Sequence, residues 1–246
     1  MSAARYETAA RFPTTRWSLV DLIRRGHAEA TREALEELLT RYLPALQAHL
    51  TLGRRVAADE ADDLVQDFVA RKILEKDLIA RADRDLGKFR TFLLTALDRF
   101  LIDRIRSAGA RKRSAKMLAI DDQEEYLRSD QTPSDIFDAT WARGVLAEAL
   151  RRMYHHCQTS DRMDLWRVFE SRLVRPILEG TPPVDYRQLV ESSGLKSPAH
   201  ASNLLITAKR TFARTLRSVV AEYCRDEREM ESEIQELREV LARCGE

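Results

Sequence analysis

Glu60, Asp63, Gln66 and Asp67, in the segment EADDLVQDFVARKIL (residues 60–74), are polar side chains whose spacing could do chemistry. On a helix turning about 100° per residue they fall on one side with Ala70, while Leu64, Val65, Phe68, Val69 and Ile73 fall on the other. The chemistry is recognition rather than bond breaking. One reading is local: carboxylates in a first turn favour the helix dipole, by about 0.3–1 kcal/mol each, and need no partner. The other is that an outward acidic face speeds encounter with a basic partner without burying an unpaired charge.

A second set lies in LGKFRTFLLTALDRFLIDRIRS (residues 86–107). Phe89, Leu93, Leu97, Phe100, Leu101 and Ile105 make a core stripe at helical spacing. Phe92 leaves that stripe and groups with Thr95, Arg99, Asp103 and Arg106. An exposed ring beside guanidinium groups suits single-stranded DNA: a base stacks for about 1–3 kcal/mol and the phosphates meet arginine. Packing of Phe92 beneath a neighbouring helix is the alternative. The following ARKRSAK, with Arg111, Lys112, Arg113 and Lys116, adds phosphate attraction or is simply a solvated basic run.

The third set is DYRQLVESSGLKSPAHASNLLITAKRTFARTL (residues 185–216). Asp185 is a helix cap, Gly194 permits a turn, and Ser197 followed by Pro198 is a strong start signal for a second helix. Ala201, Leu205, Ala208, Phe212 and Leu216 form its inner stripe; Asn203, Thr207, Arg210, Arg214 and Arg217 form the outer one. In a recognition helix the early residues reach base edges and the cations hold phosphates. His200, Ser202 and Asn203 are then the readers, with Lys209, Arg210 and Arg214 as anchors. The alternative is an amphipathic helix with a solvated basic face.

Other chemistry finds little support. His155, His156 and Cys157 are consecutive, so on a helix they point about 100° apart and do not converge on one ion. No phosphate-binding glycine loop, zincin pair or nucleophile with an ordered base is present, so neither catalysis, a metal nor a cofactor is expected. Trp17, Trp141 and Trp166 sit in apolar helical patterns and are expected in the core.

The elements that position these residues are helices. The chain has 246 residues, only 8 Gly and 7 Pro, and 44% hydrophobic residues, which favours an all-α fold with real cores. With 41 Lys plus Arg against 40 acids, attraction to nucleic acid must be local. Three scattered cysteines, Cys157, Cys224 and Cys244, do not suggest a disulfide framework and fit a reducing compartment. MSAARYETAARF lacks the apolar core of a signal peptide, and no apolar run reaches the length of a membrane span, so a cytoplasmic chain without membrane contact is expected.

Helices are expected from Thr14 or Thr15 to near Gly26, from about Glu29 to Leu50 with a kink at Pro44, across the acidic segment, and after Gly87. Residues 108–138 change character, basic and then acidic, and read as an exposed linker. Helices resume with DATWARGVLAEALRRMYHHC and DRMDLWRVFESRLVRPIL, break at GTPP, and continue as the pair around SSGLKSP. Met230, Ile234, Leu237 and Leu241 mark an amphipathic terminal helix.

EADDLVQDF followed by GKFRTFLLTALDRFLIDRIRS resembles region 2 of bacterial RNA polymerase sigma factors of the extracytoplasmic-function type, in the sigma-70 family. Glu60, Ala61, Asp62, Asp63, Leu64, Gln66 and Asp67 match the first motif; Phe89, Arg90, Phe92, Leu93, Leu94, Ile102, Asp103 and Arg106 match the second. The third set is similar to region 4, the helix-turn-helix. The resemblance implies two helical domains, residues 1–107 (region 2-like) and 139–225 (region 4-like), joined by the linker and followed by a tail, 226–246. It implies that Glu60, Asp63, Gln66 and Asp67 bind the β′ clamp helices of core polymerase. Phe92, Thr95, Arg99, Asp103 and Arg106 would meet the −10 region of promoter DNA, and the helix-turn-helix the −35 region near the β flap. Arg99 stands where the family commonly has Asn, Arg104 where an aromatic is frequent, and Lys196 resembles an insertion in the turn. These departures leave open a sigma-like adaptor without productive promoter binding; a plain helix-turn-helix repressor is a further alternative. An anti-sigma factor or a Ser/Thr kinase is a compatible regulator.

Overall fold

In the computed structural model, every regular element among the described residues is helical and none is a strand, in line with the all-α expectation. The structure describes residues 17–25, 28–74, 78–83, 85, 87–115, 132–224 and 226–243. The expected caps Thr14 and Thr15, residues 116–131 and Cys244 lie outside them, as does the side chain of Trp17.

The helices are α1 (Trp17–Arg25), α2 (Ala28–Ala48), α3 (Ala58–Phe68), α4 (Phe89–Ala115), α5 (Pro133–Thr159), α6 (Met163–Phe169), α7 (Arg175–Glu179), α8 (Tyr186–Ser193), α9 (Pro198–Ala221) and α10 (Glu227–Arg243). Single π-helical turns extend α2 (His49–Gly53), α3 (Val69–Leu74) and α6 (Glu170–Val174). Both ends of the expected linker are helical: α4 runs on to Ala115 and α5 begins at Pro133. The start of α5 is closed by Thr132 and Asp135. The Thr132 backbone N–H and hydroxyl donate to the Asp135 carboxylate, and the Asp135 N–H donates to the Thr132 hydroxyl. This reciprocal capping box, absent from the sequence reading, explains the earlier start.

The chain divides into two compact units, the division falling within α5 and within α10. One holds the described residues up to Arg143 together with those from Glu236 onward. Its core includes Leu38, Tyr42, Leu46, Leu50, Phe68, Phe89, Leu93, Leu97 and Trp141, all buried. Tyr42 stacks on Trp141 at 4.7 Å and 9°, and tilts against Phe89 at 5.3 Å. Each such buried side chain contributes about 1.5–3 kcal/mol. His49 is buried and shares the Asp98 carboxylate with Arg54, at 2.9 and 2.8 Å, which pins the π-turn after α2 to α4.

The other unit spans Gly144–Gln235. Trp166, Phe169 and Val168 of α6 pack with Met153 and Cys157 of α5 and with Ala201, Leu204, Leu205 and Ala208 of α9. Arg152 of α5 donates both to Glu148 on its own helix and to Glu222 just after α9, an ionic tie between the two helices.

Two apolar stripes need correction. Periodicity places Leu101 and Ile105 in the core stripe of α4, but Leu101 is only half-buried and Ile105 is 59% exposed, while Leu93, Leu97 and Phe100 are buried. On α10 it is Val240, with Met230, Ile234 and Leu237, that is buried, while Leu241 is only half-buried.

Candidate functional site

Helix α3 carries the acidic set. Ala61, Leu64, Val65 and Phe68 are buried, which turns Glu60, Asp63 and Gln66 outward to solvent; Val69, assigned to the buried stripe, is only half-buried. Asp67 differs from its neighbours: it is half-buried, ion-paired to Arg104 of α4, and 3.5 Å from Arg71 one turn on. Arg104 also lies 6.0 Å from the Phe100 ring centroid, and Lys72 lies 5.9 Å from it. Asp62 accepts a hydrogen bond from Gln47 of α2 at 2.9 Å. Three of the four predicted residues therefore form an open polar face, and the fourth is drawn into a cation pair.

Beside it, in the same unit, a groove of about 640 Å³ runs along the first turns of α4. One wall is helical: Lys88, Thr91, Phe92, Thr95, Ala96 and Arg99 recur at spacings of three and four and so share a face. Lys72, Leu78, Arg81 and Asp83 line it from other segments. Four cations and one acid are thus among the lining residues. Phe92 is half-buried, its ring 6.0 Å from that of Phe89, with the rest of its surface in the groove. One side of the ring thus packs on Phe89 of its own helix and the other faces the cavity.

Of the residues predicted for nucleic acid here, Phe92, Thr95 and Arg99 are brought together, while Asp103 and Arg106 lie outside the groove. Asp103 instead sits 3.8 Å from Lys72. The sequence reading missed Lys72, Arg81 and Lys88. Only Lys88 carried a local signal, four residues before Phe92 on the same face; Lys72 and Arg81 arrive from other segments.

Helix α10 meets this wall. Its Glu236 is ion-paired to Lys88 and, at 2.6 Å, to Arg90, which also lies 3.4 Å from Asp138. Burial raises the Glu236 pKa, but the hydrogen bonds and charges of Lys88 and Arg90 outweigh it and hold the carboxyl below its ordinary range.

In the other unit α8 and α9 are capped where their local signals place the caps. Asp185 accepts from the Arg187 N–H, Gly194 takes the left-handed conformation at φ 64°, and Ser197 accepts from the His200 N–H ahead of Pro198. On α9, Asn203, Lys209, Arg210 and Arg214 are exposed, while Ser202 and His200 are half-buried. The His200 Nδ1 is buried and has no hydrogen-bond partner among the described residues. Arg217 belongs to the outer stripe but is engaged by Glu227 and Glu231 of α10. His155 and His156 are exposed whereas Cys157 is buried, so the three side chains diverge. Burial pushes the Cys157 thiol pKa up.

No family model matches the chain, and neither a curated protein nor a solved structure matches it significantly. Among the described residues no helix is long and apolar enough to cross a membrane.

Proposed function

We propose that the chain is a sigma-type transcription initiation factor. The α3 face of Glu60, Asp63 and Gln66 binds the β′ clamp helices of core RNA polymerase, and the groove of α4 takes single-stranded promoter DNA. The observation that carries this reading is the segregation of charge within one unit. Exposed carboxylates lie on α3, while Lys72, Arg81, Lys88 and Arg99 line a groove together with Phe92. A basic helical partner suits the first surface and a stacked base with phosphates the second.

The α8–α9 pair is the duplex-binding element of this proposal, with Asn203 as base reader and Lys209, Arg210 and Arg214 as phosphate anchors. No reaction is catalysed by the chain itself; polymerase supplies the chemistry. Run-off transcription from candidate promoters by core polymerase, with and without the protein, together with capture of core polymerase, tests the reading. Capture with promoter-dependent transcripts is the expected outcome; absence of capture overturns it.

The half-buried His200 and the engaged Arg217 favour a second reading, a polymerase-binding adaptor that does not recognise promoters. It differs in one outcome: capture of polymerase without transcripts.

A further inference from the structure

Lys88 stands at the rim of the groove, and its ammonium group is already met by a carboxylate, that of Glu236 on α10. Glu236 also receives Arg90 at 2.6 Å, while Leu237 and Val240 on the same helix are buried, so the acid is held in place by packing as well as charge. The same helix repeats this chemistry in the other unit, where Glu227 and Glu231 take Arg217 from the outer stripe of α9. By contrast, Arg99, further along the groove, makes no ion pair among the described residues. Carboxylate and phosphate oxygens are both anionic acceptors for ammonium and guanidinium groups, so the two compete for the same cation.

We propose that α10 is an acidic strap that competes with nucleic-acid phosphates for cations of the recognition surfaces, with Glu236 occupying Lys88 at the groove. The inference rests on the reading of the groove as a single-strand site. In it, DNA entering the groove displaces Glu236 from Lys88, and the free protein has weaker affinity for single strands than its cation content allows. The salt dependence is correspondingly shallow, because a cation already neutralised by a carboxylate releases no counterion when a phosphate replaces it.

The test uses the full chain and a fluorescein-labelled deoxythymidine dodecamer, with affinity measured across a salt series. Glu236→Gln is expected to tighten binding by about threefold and to steepen the salt slope by about 0.7, the contribution of one phosphate contact on a single strand. Glu33→Gln, on an exposed position of α2, removes the same charge and is expected to leave both nearly unchanged. If Glu236→Gln binds no more tightly than Glu33→Gln while Phe92→Ala weakens binding, the strap is overturned and the groove stands. If Phe92→Ala also leaves binding unaltered, the groove reading falls and the strap with it. Side-chain carboxyl chemical shifts of the unaltered protein provide an outcome independent of variant folding. A shift of the Glu236 carboxyl on adding the dodecamer supports displacement, and an unchanged shift in a bound complex overturns it.

Discussion

Asp67 of α3 is ion-paired to Arg104 of α4, so the last acid of the outward set is partly neutralised by a cation from the neighbouring helix. Asp63, one turn earlier, remains open to solvent. Arg104 thus trims the acidic face and lies beside Phe100. The acidic face is therefore graded: Glu60, Asp63 and Gln66 stay open to solvent, and Asp67 pairs across the α3–α4 contact.

That grading separates two substitutions. Glu60→Lys with Asp63→Lys is expected to weaken capture of core polymerase by about tenfold or more, through like-charge opposition, with the far-ultraviolet dichroism unchanged. Full capture by this variant would remove α3 as the contact.

Asp67 and Arg104 are exposed by 31% and 43%, so solvent screens their pairing. A double-mutant cycle of Asp67→Asn and Arg104→Ala, read by denaturant unfolding, is expected to give a coupling below about 1 kcal/mol. A larger coupling would mean that the pair is a structural clamp.

In the groove, Phe92→Ala is expected to lower single-strand affinity by about 1–3 kcal/mol, with a smaller stability loss because one side of the ring packs on Phe89. Arg99→Ala is expected to reduce the salt slope by about 0.7 and to leave thermal stability unaltered. Equal affinities for the variants and the parent protein would exclude the groove as the binding site.

The turn between α8 and α9 depends on local geometry. Gly194 sits at φ 64° with nothing within 4 Å of an added Cβ, so Gly194→Ala meets backbone strain rather than a clash. A loss of about 1 kcal/mol is expected from that conformation. Ser197→Ala, which removes the acceptor for the His200 N–H, is expected to cost about as much. Thermal unfolding of both variants checks the two values.

Stability is expected to fall in acid. Burial raises the Asp98 pKa, but His49 and Arg54 outweigh it and the folded value lies below the ordinary one; Glu148 behaves alike through Arg151 and Arg152. A carboxyl depressed on folding contributes stability that is present above its unfolded pKa, near pH 4, and lost as pH falls through the folded value. Asp98→Asn is therefore expected to be less stable than the parent at neutral pH and to lose less on acidification. An identical pH profile for the two proteins would remove Asp98 from this role.

Sequence by itself determined what depends on near neighbours. The caps at Asp185 and Ser197, the turn at Gly194 and the buried side of α3 are decided within one or two helical turns, where types and spacing suffice. Tertiary structure decided which exposed charges remain open and where an apolar stripe stops being covered. Periodicity continued the α4 stripe to Ile105, but burial requires a second element opposite, and that is a property of packing. Likewise Lys72 and Arg81 join Phe92 across the groove, Arg104 takes Asp67, and α10 takes Lys88 and Arg217, each over a separation in the chain that no local pattern encodes. A charge acts over a few ångströms of space, whereas a sequence records only order along the chain.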